Sequence, residues 1–299
     1  MRAIREQNHV CYVYHYTTTE GFKGIVESQE LWATSIYHLN DWTEFDHGRD
    51  AFIKSAKALL KSEEVADAAA QLLSYFHNAH PPLFVCSFSA AEDGDDLTQW
   101  RAYSPKGGYA IGFPIAELNT YGGMLGFDLL PCEYDTIGTS QFVEGIAKIM
   151  EQIFEMAGGI KGFRSQFPFN DPSKDALLAM LLKYVAKWKH DAFRAEKEHR
   201  LVHLPEPGEC QKFRMSGSNL VPYVAFSLKN DKPWKKTQIE KLWKKVQIVV
   251  SPCSPDAGEL RRESVGAFLE SELRKHNLPT DCGKSVRLSR APYRTAIGG

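Results

Sequence analysis

The sequence predicts an α+β domain, and three observations carry that reading. Short runs rich in β-branched and aromatic residues, such as Cys11-Tyr-Val-Tyr-His-Tyr-Thr17 and Pro82-Leu-Phe-Val-Cys-Ser-Phe-Ser89, alternate with segments of helical apolar spacing. The composition is that of an ordinary globular protein, 43% hydrophobic and 24% charged over 299 residues, enough for one large core or two modest ones. No internal repeat or low-complexity linker divides the chain, which favours a single domain over 1–299.

The first strand, residues 12–17, feeds a short helix that Thr18-Thr19-Glu20 can cap and whose apolar residues include Phe22, Ile25 and Val26. Leu31 to Ile36 is a second strand. Asn40-Asp41 offers a turn, with Asn40-Asp41-x-x-Glu44 in the form of a capping box, and 44–79 is an Ala- and Leu-rich helical region with one break near its middle. After the strand at 82–89, the acidic Glu92-Asp-Gly-Asp-Asp96 reads as a loop and Leu97 to Tyr103 as a helix capped by Asp95 or Asp96. A glycine-bounded strand at Tyr109 to Phe113, a strand at Leu129 to Tyr134, a helix over 141–157 and an aromatic loop reaching Asn170 follow. Asp171-Pro172 starts a long helix through Leu177, Leu181, Tyr184, Val185 and Trp188, which gives way after Phe193 to a strand near His199 to Leu204. Strands at 221–228, 246–251 and 285–289, with a helix at 256–276, complete the series.

The opening residues lack the apolar run of a secretory signal, and nowhere do about 18 uninterrupted apolar residues occur, so no membrane span and a cytoplasmic address are expected. Six scattered cysteines without a Cys-x-x-Cys fit neither a disulfide scaffold nor a zinc knuckle; they read as reduced thiols, mostly buried. The net charge of −1 hides a polarity, since residues 40–99 carry 11 acids against 4 bases and residues 229–299 carry 15 bases against 8 acids. A basic C-terminal face can attract an anionic substrate or nucleic acid, or simply be solvated surface.

Glu196-Lys-Glu-His-Arg200 is the segment with the most chemical content. If it is extended, residues two apart face the same way and both carboxylates project together, suited to acid/base work or to stabilising a cationic transition state. The alternative is the solvated charged end of a helix. His15 lies on the first strand, facing opposite to Tyr14 and Tyr16, as a ligand contact or as an ordinary strand histidine. Trp100 and Tyr103, three apart on a short helix, form either an aromatic wall or core packing. There is no phosphate-binding Gly-x-x-x-x-Gly-Lys-Ser/Thr, no Gly-x-Gly-x-x-Gly after a strand, no Gly-x-Ser-x-Gly and no His-Glu-x-x-His. His199 and His203 lack a nearby third ligand, so no metal is expected.

Taken in order, Tyr14-His-Tyr-Thr17, Leu39-Asn-Asp-x-x-Glu44, Cys86-Ser-Phe-Ser89, Trp100-x-x-Tyr103, Gly108-Tyr-Ala-Ile-Gly112 and Trp188 followed by Glu196-x-Glu-x-Arg200 resemble a bacterial family, domain of unknown function 2971, over roughly residues 12–290. The order of an early strand histidine, polar or aromatic middle strands and a late Glu-x-Glu is similar to the ADP-ribosyltransferase superfamily. That resemblance implies an ADP-ribosyltransferase-like split mixed sheet, rich in antiparallel pairs, with a cleft between its halves and flanked by helices 44–79 and 173–195. It implies NAD as substrate and a macromolecular acceptor, protein or nucleic acid, in a toxin with an antitoxin or in an antiphage defence system with its partner. In the same reading His15, with Tyr16 and Thr17 beside it, matches the histidine that holds an NAD ribose. Glu198 matches the glutamate on the nicotinamide ribose and Glu196 the acid that orients or deprotonates the acceptor. Trp100 or Tyr103 stacks on nicotinamide, and Ser87 or Ser89 fills the middle-strand polar position. The competing expectations are a metal-dependent nuclease or hydrolase, and a non-catalytic binding module.

Overall fold

A computed structural model describes residues 11–39, 82–134, 172–206 and 209–292, with isolated positions within 45–67 and 148–162. The expected capping box at 40–44 and most of the expected helices 44–79 and 141–157 lie outside the described residues.

Strand β1 (Tyr12–Thr18) runs into helix α1 (Thr19–Ser28), whose N-cap Thr18 accepts a hydrogen bond from the Gly21 amide at 3.1 Å. The helix ends at Gln29 in the left-handed region, φ 55°, and β2 (Glu30–Ser35) follows at once. Next come β3 (Phe84–Ser89), α2 (Leu97–Tyr103), β4 (Gly108–Pro114), α3 (Ile115–Met124), β5 (Phe127–Pro131) and β6 (Glu133–Tyr134). Beyond them lie α4 (Pro172–Lys187), β7 (Trp188–Lys189), β8 (Glu198–His203), β9 (Lys212–Ser216) and β10 (Asn219–Ser227). Helix α5 (Lys236–Lys245), β11 (Gln247–Val250), α6 (Pro255–Lys275) and β12 (Val286–Leu288) finish the fold.

Among the described residues ten strands form one mixed sheet in the order β12-β11-β4-β1-β3-β2-β10-β9, with β8 and β5 branching from β3. Its pairs are antiparallel apart from β11 with β12. Strand β3 carries the branch: β8 pairs with it from Phe84↔His203 to Ser89↔Glu198, the whole length of one edge. The other edge is shared, with β1 meeting it at Tyr14↔Ser89 and β2 at Val85↔Thr34 and Phe84↔Ser35. Between those contacts β1 and β2 diverge, and α1 bridges them.

The main core lies under α1, α3, α5 and α6, where Phe22, Tyr121, Phe226, Trp243 and Leu269 are at most 2% exposed. Burying each such side chain contributes about 1.5–3 kcal/mol. A smaller cluster of Tyr14, Tyr16, Trp100, Ala110 and Val249 sits across β1, β4 and β11, where α2 packs on β1. The Tyr14 ring lies so close to Gly112 and Gly94 that a Cβ at either would strike it, and Gly94 also has φ +59°.

Two expectations are corrected. The long helix stops at Lys187 rather than near 193–195, because Trp188 and Lys189 leave it to pair in parallel with Glu133 and Tyr134. The cysteines form no disulfide among the described residues and are not mostly buried: Cys86 and Cys282 are buried, Cys132 and Cys253 intermediate, and Cys11 and Cys210 exposed, all but Cys86 lying outside the strands. Among the described residues no helix is long and apolar enough to cross a membrane.

Candidate active site

The divergence of β1 from β3 opens the site. Beyond the Tyr14↔Ser89 contact, the Ser87 carbonyl has no ladder partner on that edge, and the His15 ring takes its place with Nδ1 3.0 Å from the oxygen. A carbonyl only accepts, so Nδ1 carries the proton and Nε2 is left as an acceptor. Burial lowers the His15 pKa and the Ser87 carbonyl offsets part of that, so the ring is neutral near pH 7.

The late acidic segment is not a continuous strand. Asp191 to Glu196 form a 3-10 turn, Lys197 stands in the left-handed region at φ 46°, and Glu198 opens β8. The two carboxylates therefore do not converge by strand alternation. They converge on Lys189, whose Nζ donates to Glu196 at 2.8 Å and to Glu198 at 2.6 Å. Arg200 completes the group, its Nε 2.8 Å and its second nitrogen 3.1 Å from the Glu198 oxygens, with a third donor to the Ala186 carbonyl at 2.7 Å. Ser89 Oγ fastens the turn to β3 by donating to the Glu196 carbonyl at 2.7 Å, and the Tyr134 hydroxyl accepts the Glu198 amide at 2.8 Å.

Nor is this a solvated helix end, since Glu198 is 4% exposed and Arg200 1%. Two anions and two cations balance in one group in which Glu198, Arg200 and Lys189 are buried and Glu196 is half-buried, the condition under which charges can leave water. Burial pushes the Glu198 carboxyl up, but Arg200 and then Lys189 outweigh it and hold the pKa at about 2. The nearby Cys86 thiol is pushed up to about 12 by burial and by the Glu198 charge, so it stays protonated.

A cavity of about 80 Å³ gathers His15, Tyr16, Ser87, Tyr103, Glu196 and Glu198 from β1, β3, α2, the turn before β8 and the first residue of β8. A second, of about 350 Å³, lies between α1 and β2 and shares His15 as a wall; Thr17, Trp32 and Arg214 line it. Of the sequence-predicted residues, Trp100 is the one that lines neither. It is 3% exposed, donates Nε1 to Asp95 at 2.9 Å and stands edge-on to Tyr16 at 4.8 Å, so it supports the wall from behind.

Sequence reasoning missed Lys189, Tyr134 and Gln99. Gln99 also lines the smaller cavity, is 4% exposed, and its side-chain amide meets no hydrogen-bonding partner among the described residues. A lysine just past a helix carries no local sign of burial. His203, weighed beside His199 as a ligand, is committed to the Gly126 carbonyl and Glu209 and stacks on Phe127 at 4.3 Å. Among the described residues no group of three His, Cys, Asp or Glu could hold a metal ion.

Fold and site together define a mixed α/β protein, its large sheet flanked by helices, with a charge-balanced carboxylate pair at the start of β8, of which Glu198 is buried and Glu196 half-buried. No family model, no curated protein and no solved structure matches the chain.

Proposed function

We propose that the chain is an NAD-dependent ADP-ribosyltransferase-like enzyme that modifies a macromolecular acceptor in the cytoplasm, as a toxin or antiphage defence effector. The observation that supports it is that His15, near the start of the chain, and Glu196 and Glu198, about 180 residues later, wall one cavity. Neither cavity alone matches a dinucleotide, but the two adjoin at His15, so a ribose at the junction leaves the smaller space for a ring and the larger for the rest.

In this reading the bond from ribose C1′ to the nicotinamide nitrogen breaks with its electron pair going to the ring, and neutral nicotinamide leaves. Positive charge grows on the ribose, and Glu198, ionised above a pH of about 2, stabilises it at no protonation cost. Its charge is fixed in place by Arg200 and Lys189 before substrate arrives. The neutral His15 offers Nε2 to a ribose hydroxyl. Glu196, with its side chain 20% exposed at the rim, accepts the proton of the acceptor nucleophile as the new bond to C1′ forms.

The test is incubation of the purified protein with labelled NAD and cell lysate, following nicotinamide release and label transfer. Release is expected to fall by about a hundredfold or more in Glu198→Gln, and His15→Ala, which leaves the charged group intact, is expected to raise the KM for NAD. No release from the wild-type protein with any acceptor fraction contradicts the reading. One observation favours a second reading, a non-catalytic binding module: both Glu198 oxygens are already engaged by cations, as in a purely structural clamp. Under that reading NAD is not consumed and Glu198→Gln retains ligand binding. Turnover that needs a divalent ion points instead to the nuclease class.

A further inference from the structure

On the far side of α2 lies a third cavity, of about 220 Å³, between the end of that helix and the start of α6. We propose that it binds a terminal phosphate group, on a nucleotide or on a nucleic-acid end. This cavity shares no lining residue with the two that meet at His15.

The lining chemistry is one-sided. Lys106 and Arg261 both face the cavity, no carboxylate lines it, and neither cation makes a hydrogen bond or ion pair among the described residues. Three serines add hydroxyls. Ser251, 2% exposed, accepts the Gly108 amide at 3.0 Å, which leaves its own proton to donate. Ser104 is 4% exposed and its Oγ has no hydrogen-bond partner among the described residues, a buried donor without an acceptor there. Such a group costs about 1–3 kcal/mol unless something arrives to accept from it.

Backbone geometry points the same way. Ser254 caps α6, a helix of 21 residues, without committing its side chain, and Ala257 in the first turn lines the cavity, so the positive helix end faces it. Gly107, at φ +95°, brings the loop within reach of Arg261, where a Cβ would lie 3.3 Å from the guanidinium. Asp256, exposed in the same first turn, weakens the positive field but is not among the lining residues. An oxyanion with three acceptor oxygens matches two cations, several hydroxyls and a helix start better than any neutral ligand. The volume admits a phosphate with its sugar, not a duplex backbone. The site also gives a use to the basic C-terminal third, which supplies Arg261.

The experiment titrates the full chain at low ionic strength with inorganic phosphate, adenosine 5′-monophosphate and adenosine, read by calorimetry. Saturable binding of phosphate and of the nucleotide, weakened about tenfold by either Arg261→Gln or Lys106→Gln and less by Ser104→Ala, is expected, since each cation supplies a charge-assisted hydrogen bond. Melting curves show whether each variant is folded, and exposed Lys106 gives a variant that leaves the core untouched. A 5′-phosphorylated single strand binding more tightly than the nucleotide identifies a polynucleotide end as the source, and equal binding identifies a free nucleotide. No phosphate binding, binding unchanged in both cation variants, or binding lost in His15→Ala but kept in Arg261→Gln overturns the proposal.

Discussion

The two edges of β3 differ in a way that accounts for the site. Toward β8 the strand is zipped from Phe84 to Ser89, every rung met by a neighbour. Toward β1 and β2 it is met only at its ends, and Ser87 turns its carbonyl to a histidine ring instead of a backbone amide. A closed edge gives rigidity, and an open one gives exposed polar groups and room. The candidate site uses both, because Glu198 stands on the zipped strand and reaches the opening, while His15 stands on the diverging one.

The comparison can be broken on its rigid side first. Arg200→Met leaves Glu198 to share Lys189 with Glu196, and stability is expected to fall by about 3–5 kcal/mol in urea unfolding with an unchanged slope. Acid should act on the same strand. Glu198 has a folded pKa of about 2 against an ordinary 4.5, so its contribution is complete above pH 4.5 and lost as pH falls toward 2. The His15 pKa lies below its ordinary 6.5, so its contribution is also complete at higher pH and declines once the unfolded chain takes up a proton. The urea midpoint is therefore expected to drop from pH 7 to pH 3, and by less in Glu198→Gln; a flat profile would remove the buried charge balance from the account.

On the open side the effects on stability are smaller. His15→Ala removes one hydrogen bond and is expected to cost about 1 kcal/mol, while impairing NAD use far more than its stability loss explains. Trp32, 45% exposed beside the larger cavity and 4.6 Å from Tyr223, is expected to cost about 1 kcal/mol or less as Trp32→Ala.

Much of the sheet was legible because its strands are runs of β-branched and aromatic residues with turns between them; β1, β3, β4, β8, β10 and β11 fall close to where periodicity puts them. Helix α5 was missed although Ile239, Leu242 and Trp243 fall at helical spacing, since its lysines read as solvated surface. Helix α3 was hidden by Gly122 and Gly123, and β9 by its exposed side chains. The end of α4 was illegible for a different reason: Leu181, Val185 and Trp188 continue the helical pattern, and what stops it is pairing with Glu133 and Tyr134, far away in sequence. For the site, the early histidine and the late glutamates could be singled out by residue type. Their cation partners could not, because burial of Lys189 and Arg200 depends on where three separate segments meet.

The most direct measurement is the ¹⁵N spectrum of His15, in protein labelled at histidine, during a titration with NAD. A saturable shift of its Nε2 resonance, with Nδ1 still protonated and donating to the Ser87 carbonyl and nicotinamide appearing on the same concentration scale, is the result expected. A His15 signal that stays still while NAD binds elsewhere, or is not bound at all, would contradict the placement of the site in the open edge of β3.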